Sequence, residues 1–411
     1  MLTRPAYSWS ERAPRGYAER VRLPWTSLLL LSAGIFVAVT SEFLPIGLLP
    51  QLTAELDVSE AQVGLLITVF AATVVVATAP LTHVTRAVPR KRLLIVLLAV
   101  FAVANLVAAL APDYAVLLVS RIIGGAAHGV FWAVVTPYAA RLVPPARLAS
   151  AVAVATSGAT VATVAGLPLG TLLGTAVGWR ASFAVIAALV VVIAIAIIAV
   201  LPPVEHRVTD AAPARRPRGT GGRDATLAPV VVLCVIVVLV TLGHATFYTY
   251  IAAWIIDIAG FEAADVAAIL LLFGAAGAIG VVVAGVLGDR WPRALLPTLL
   301  VGVVLSVAGL VAVPGAPLAV IVLVTLWSAF LGGVPVIFQA RLIHTASPAL
   351  RDIAAAWLTV AFNVGIGGGA LLGGVMIGIW SVAALPLATV ALVLAALGIV
   401  VASRPRVHAL P

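Results

Sequence analysis

Charge is what this sequence has least of. Of 411 residues only 9% are charged, against about 25% in soluble domains, so a soluble globular protein is excluded. Cysteine occurs once, as Cys234 inside an apolar run, and that rules out a disulfide framework or a cysteine metal site. Lysine also occurs once, at Lys91 in a basic loop, and no glycine-rich Walker loop carries a lysine, so ATP does not drive this chain directly. There is no His-Glu-x-x-His zinc pattern and no Gly-x-Ser-x-Gly elbow. The chain is therefore read as no enzyme, with no metal and no cofactor. Segments of about ten residues alternating apolar and polar, the mark of an outer-membrane barrel, are missing too.

What is present is hydrophobic length: 63% of the residues are apolar, in runs of roughly 20 that each match a hydrocarbon layer of about 30 Å. Punctuated by arginine, proline and glycine, they count to twelve spans, near 26–50, 61–83, 92–111, 114–140, 149–176, 180–201, 227–256, 264–287, 294–313, 317–340, 352–378 and 381–402. The fold class is an all-α membrane protein. The expected organisation is a tail 1–25, a six-helix half 26–201, a polar Arg-, Pro- and Gly-rich linker 202–226, a second six-helix half 227–403 and a tail 404–411. The first run is too long for a signal peptide and is read as a retained span.

The net charge of +9 points to topology rather than to nucleic acid. Arginines fall in alternate connections, whereas Glu55, Asp57, Glu60, Asp113, Asp257, Glu262 and Asp265 occupy the others, and Arg180 is the exception. The positive-inside rule puts both termini and the linker in the cytoplasm of a multi-pass protein of the inner (plasma) membrane. The halves look like copies: Leu56–Val63 opens the second span as Phe261–Val266 opens the eighth, and Trp179 is echoed by Trp380.

Within the first span stands a carboxylate, Glu42, in the stretch Thr40–Pro50. A carboxylate in hydrocarbon is costly unless it faces protein or water and has work to do there. On the fourth span Arg121, Gly125, His128 and Trp132 stand at i, i+4, i+7 and i+11, one helix face. Glu42 and Arg121 both lie on the order of 10 Å inside the outer boundary, counting ~1.5 Å per residue. One reading has Arg121 holding Glu42 ionised until substrate or domain movement parts them; the other has Arg121 serving backbone carbonyls or helix packing. His128 suits a proton relay or an ordinary hydrogen-bonded structural role. In the second half His244, with Tyr248 close by, and Asn363 are polar groups near mid-span, which line a cavity or bond helix to helix.

These motifs carry a resemblance. Glu42 with the Pro50 ending, Arg121–Gly129, the set Gly158, Gly166, Pro168, Gly170 and Gly174 followed by Gly178-Trp179-Arg180, and the loop Gly285–Arg293 resemble those of the major facilitator superfamily. The likeness is to its twelve-span drug/proton antiporters, in the sugar-efflux and chloramphenicol-resistance subgroup, and it covers about residues 25–403. It implies two six-helix halves with a substrate site between them. Glu42 would be the proton- and cation-binding residue, with Arg121 and His128 in proton coupling. The substrate cavity would include Glu42, Trp132, His244, Tyr248 and Asn363. Gly166, Pro168 and Gly170 would seal the halves, and Gly285, Asp289 and Arg290 would latch neighbouring helices. The matching loop of the first half departs from the pattern, with Thr85 where the aspartate belongs.

The expected function is proton-coupled export of a small neutral or cationic molecule such as an antibiotic, by a monomer whose partners are that substrate, protons and membrane lipid, and not nucleic acid. The alternatives are a sugar or nucleoside effluxer, a proton-independent facilitator, and a non-transporting receptor, which the short tails disfavour.

Overall fold

The structure is a computed structural model, and it describes residues 23–144, 147–204, 224–288, 290–348 and 350–403. Among the described residues twelve helices are long and apolar enough to cross a membrane: α1 (Trp25–Gly47), α2 (Glu60–Ala87), α3 (Arg90–Ala109), α4 (Tyr114–Arg141), α5 (Ser150–Val177), α6 (Trp179–Val200), α7 (Leu227–Tyr248), α8 (Ala263–Gly288), α9 (Leu295–Ala312), α10 (Pro317–Thr345), α11 (Ile353–Ile379) and α12 (Val382–Ala402). Among the described residues there is no strand. With no water to satisfy backbone N–H and C=O groups in hydrocarbon, helices are the form such runs take. One departure from the sequence reading is α10, which passes its expected end and reaches Thr345 as two helices, Pro317–Gly332 and Val334–Thr345, meeting at Gly333. The seventh run likewise divides, at Thr249 and Tyr250, into Leu227–Tyr248 and the short helix Ile251–Asp257.

Two compact units form, one of Met1–Val58 with Val69–Ala212 and the other of Ser59–Thr68 with Pro213–Pro411. In the first, α5 lies on α1 through its glycines. A Cβ at Gly158 would meet the Ser32 carbonyl, one at Gly166 the Thr40 hydroxyl, one at Gly170 the Leu44 side chain and one at Gly174 that of Leu48. The two helices step together, so they run parallel and their backbones approach more closely than a side chain allows, as small residues permit in membranes. At the same level α5 carries a π-helical turn, Ala162–Gly166, followed by Pro168. The second unit repeats the device, with Gly365, Gly369 and Gly373 of α11 against Thr241, Leu242 and Thr246 of α7.

The connections that follow α1 and α3 are tied to the start of α6 by the cation that broke the charge pattern. Arg180 Nη1 donates to Glu55 Oε2 at 2.7 Å, Nη2 donates to the Ala111 carbonyl at 3.0 Å, and the guanidinium lies 4.2 Å from the Trp179 ring. Trp179 Nε1 donates to the same carboxylate oxygen at 3.0 Å. Arg180 is thus neutralised where it stands. Gly178, with φ 106°, supplies the turn that presents this pair of side chains.

Candidate functional site

The first unit gathers Glu42, Arg121, His128 and Trp132 in one place, and a proline accounts for one of the bonds there. Pro45 lies inside α1. It has no N–H, so the carbonyl four residues earlier, that of Ser41, has no intrahelical donor. A buried carbonyl left unpaired costs roughly 1–3 kcal/mol. Arg121 fills the gap from α4: Nη1 donates to the Ser41 carbonyl and Nη2 to the Glu42 carbonyl, both at 2.8 Å. The guanidinium is buried, 3% exposed, and its Cζ lies 4.4 Å from the centroid of the Phe70 ring on α2, a favourable place for a cation. Of the two readings of Arg121, the bonds it makes are those of the second, to backbone carbonyls.

Ser41 is held from another side. Its hydroxyl donates to Asn105 Oδ1 of α3 at 2.8 Å, and Asn105 Nδ2 donates to the Phe101 carbonyl at 2.8 Å. The sequence reading passed over Asn105, although an isolated amide in the apolar run of α3 was a signal of the same kind as Glu42. Two side chains, Arg121 and Asn105, therefore fix the main chain on which Glu42 sits.

The Glu42 carboxylate is left to other company. It is buried, and its Oε2 stands 3.5 Å from Nε2 of His128. His128 Nε2 also accepts from the indole N–H of Trp132 at 2.8 Å. The imidazole packs edge-on against Phe70 and Phe101, at 5.3 and 6.1 Å between centroids. Since Nε2 accepts, the imidazole proton sits on Nδ1, which is buried with no hydrogen-bond partner. The arrangement can take up a proton at either of two adjacent groups, in surroundings of low polarity.

The other candidate residues lie elsewhere. Gly166 and Gly170 bring α5 onto α1 at Thr40 and Leu44, and Pro168 is buried in the first turn after the π segment. In the second unit His244 and Tyr248 belong to an aromatic cluster. Their rings stack at 4.8 Å, Tyr248 stacks on Phe273 at 4.7 Å, and Trp327 meets His244 edge-on at 5.3 Å and Phe273 at 5.2 Å. Two buried nitrogens there, His244 Nδ1 and Trp327 Nε1, have no hydrogen-bond partner. Phe273 and Trp327 were not foreseen; aromatic residues are ordinary in apolar spans, so neither carries a distinguishing signal. Asn363 is half-buried and donates to the Thr359 carbonyl of its own helix at 3.0 Å. Gly285 has open space where a Cβ would stand, Arg290 is exposed with its guanidinium 5.8 Å from the Trp291 ring, and Asp289 lies outside the described residues. Thr85, in the first-half loop, donates to the Leu81 carbonyl. Among the described residues no group of three or more His, Cys, Asp or Glu side chains could hold a metal ion.

Comparison with known proteins agrees with this architecture. A bacterial homolog of the human lysosomal transporter Spinster, solved inward-facing and unoccupied, is similar over 93% of this chain and 95% of its own, with a TM-score of 0.69 and 17% identity. A variant of the nucleoside transporter NupG is similar over 92% of this chain and 99% of its own, with a TM-score of 0.73 and 12% identity. At those identities the likeness is one of fold. The sequence profile of the Major Facilitator Superfamily matches residues 31–342, and with twelve apolar helices the chain is a multi-pass membrane protein that belongs to that superfamily.

Proposed function

We propose that this protein is a proton-coupled antiporter that exports a small neutral or cationic molecule across the inner membrane by alternating access, with both termini in the cytoplasm. The observation that carries the reading is the Glu42 carboxylate. It is buried in a membrane span, it is 3.5 Å from His128, and the nearby cation, Arg121, is hydrogen-bonded to main-chain oxygens instead. A passive facilitator has no need of a buried carboxylate, which is expensive to keep in the membrane. A carboxylate not locked in a bidentate arginine pair is free to gain and lose a proton as its surroundings change. When ionised it also attracts a cationic substrate.

The test is proton release from everted vesicles acidified by respiration, with the wild type and Glu42→Gln challenged in turn with chloramphenicol, simple sugars and nucleosides. Antiport predicts that one compound dissipates the pH gradient in the wild type and leaves it standing in the variant. A compound that equilibrates in both alike, with no proton movement, would make the protein a facilitator.

A further inference from the structure

The indole of Trp132 and the carboxylate of Glu42 converge on a single atom. His128 Nε2 accepts from Trp132 Nε1 at 2.8 Å and stands 3.5 Å from Glu42 Oε2. A neutral imidazole nitrogen has one in-plane lone pair and accepts one good hydrogen bond. When Glu42 is ionised, Trp132 has that lone pair to itself. When Glu42 takes a proton, its O–H needs an acceptor, and the one beside it is the same lone pair. When His128 takes the proton instead, Nε2 becomes a donor and turns to the carboxylate. Either way the indole N–H loses its acceptor.

We infer that Trp132 is the positioning residue through which the proton reaches the substrate: the indole is pinned to His128 while the Glu42–His128 pair is unprotonated and is released when the pair takes a proton. The inference rests on the antiport reading above. It also gives that reading its required sign. Trp132 is half-buried, so part of its ring is open to a ligand, and a pinned indole is an ordered face for a planar or apolar molecule with little entropy left to lose on binding. A proton unpins it, so proton and substrate disfavour one another, which is what exchange requires. The charged groups around the imidazole agree with this assignment. The titratable group presented by α1 is Glu42, α2 and α3 present the uncharged rings of Phe70 and Phe101, and α4 itself carries Arg121, whose Nη1 and Nη2 donate to the Ser41 and Glu42 carbonyls while its buried Nε has no hydrogen-bond partner. His128 Nδ1, with no hydrogen-bond partner, does nothing to fix the tautomer; the indole does.

The full-length chain with 15N-labelled tryptophan indoles, in lipid nanodiscs, gives one N–H resonance per tryptophan, nine in all, and the one lost in Trp132→Phe is that of Trp132. The expected result is a Trp132 resonance at the downfield position of a hydrogen-bonded indole at pH 9, moving upfield through one transition as pH falls to 5. In Glu42→Gln, which leaves His128 as the one titratable member of the pair, the transition of the carboxylate is absent. In His128→Gln, whose amide oxygen has two lone pairs and accepts from Glu42 and Trp132 together, it stays downfield at every pH. The last variant separates the single-lone-pair argument from a general loosening of the fold. A wild-type resonance that does not move, or one that still moves in His128→Gln, overturns the proposal. The vesicle assay keeps the two readings apart: proton release with an immobile resonance leaves antiport and removes the Trp132 link, and a moving resonance without proton release removes antiport and the link to substrate, leaving only a protonation-dependent hydrogen bond.

Discussion

If Pro45 creates the vacancy that Arg121 fills, then giving position 45 its N–H back should make Arg121 less necessary. Arg121→Met removes two charge-assisted hydrogen bonds, each 2.8 Å long in the wild type, and leaves the Ser41 carbonyl buried with no donor. Bonds to charged groups contribute about 1.5–3 kcal/mol each. Pro45→Ala supplies a backbone N–H to that same carbonyl, so in this background the Arg121→Met substitution loses one irreplaceable bond rather than two. The coupling between the two sites is therefore about 1.5–3 kcal/mol. At roughly 2–4 °C per kcal/mol for a unit of this size, the fall in Tm caused by Arg121→Met should be smaller by about 3–12 °C in the Pro45→Ala background. The assay is thermal unfolding of the four purified proteins in one detergent at one scan rate, followed by tryptophan emission. An Arg121→Met penalty of the same size with and without the Pro45→Ala change would refute the argument, because the guanidinium would then be holding something other than the broken helix.

Other expectations follow from the same geometry. Gly158→Ala should destabilise the chain and Gly285→Ala should not: a Cβ at the first meets the immovable Ser32 carbonyl, and at the second it meets open space, where exchanging glycine for alanine in a helix gains about 0.5–1 kcal/mol; paired melting curves decide it. Arg180→Ala should cost about 1 kcal/mol at most, since side chains 41% and 47% exposed form a weak pair, and the loss should shrink in 1 M salt. The Asp224 carboxylate accepts from Ser347 Oγ at 2.5 Å and from the Thr226 hydroxyl and amide at 2.7 and 2.8 Å, and these bonds hold it below the ordinary aspartate range. A depressed folded-state value stabilises above the unfolded value and is lost as pH falls through the folded one. Amide protection at Ser347 should hold from pH 8 to 5 and fall below about pH 4, and Asp224→Asn should lack that step.

Much of the architecture could be read without coordinates because the membrane imposes it. A helix that must satisfy its own backbone and cross a hydrocarbon layer of fixed thickness writes its length into the sequence, which is why the spans fall within a few residues of their expected places and why α10 and the seventh run, each broken in the middle, were the least well delimited. Glu42, Arg121 and Asn105 were visible for the complementary reason, that a polar side chain in such a span stands out, although only the first two were taken up. What the sequence could not decide is which atom meets which. The match in depth between Arg121 and Glu42 placed a guanidinium beside a residue, but not beside its carboxylate. That it bonds the Ser41 and Glu42 carbonyls depends on the lateral packing of α1, α3 and α4 and on the donor missing at Pro45. Likewise His128 and Trp132, four residues apart, were legible as neighbours on one helix face, whereas the approach of Glu42 to the same imidazole nitrogen required α1 to be brought against α4. Periodicity along a chain fixes which side of a helix a residue occupies; contact between helices is set by the close fit of their surfaces, here by glycines of α5 against α1, and that fit exists only in three dimensions.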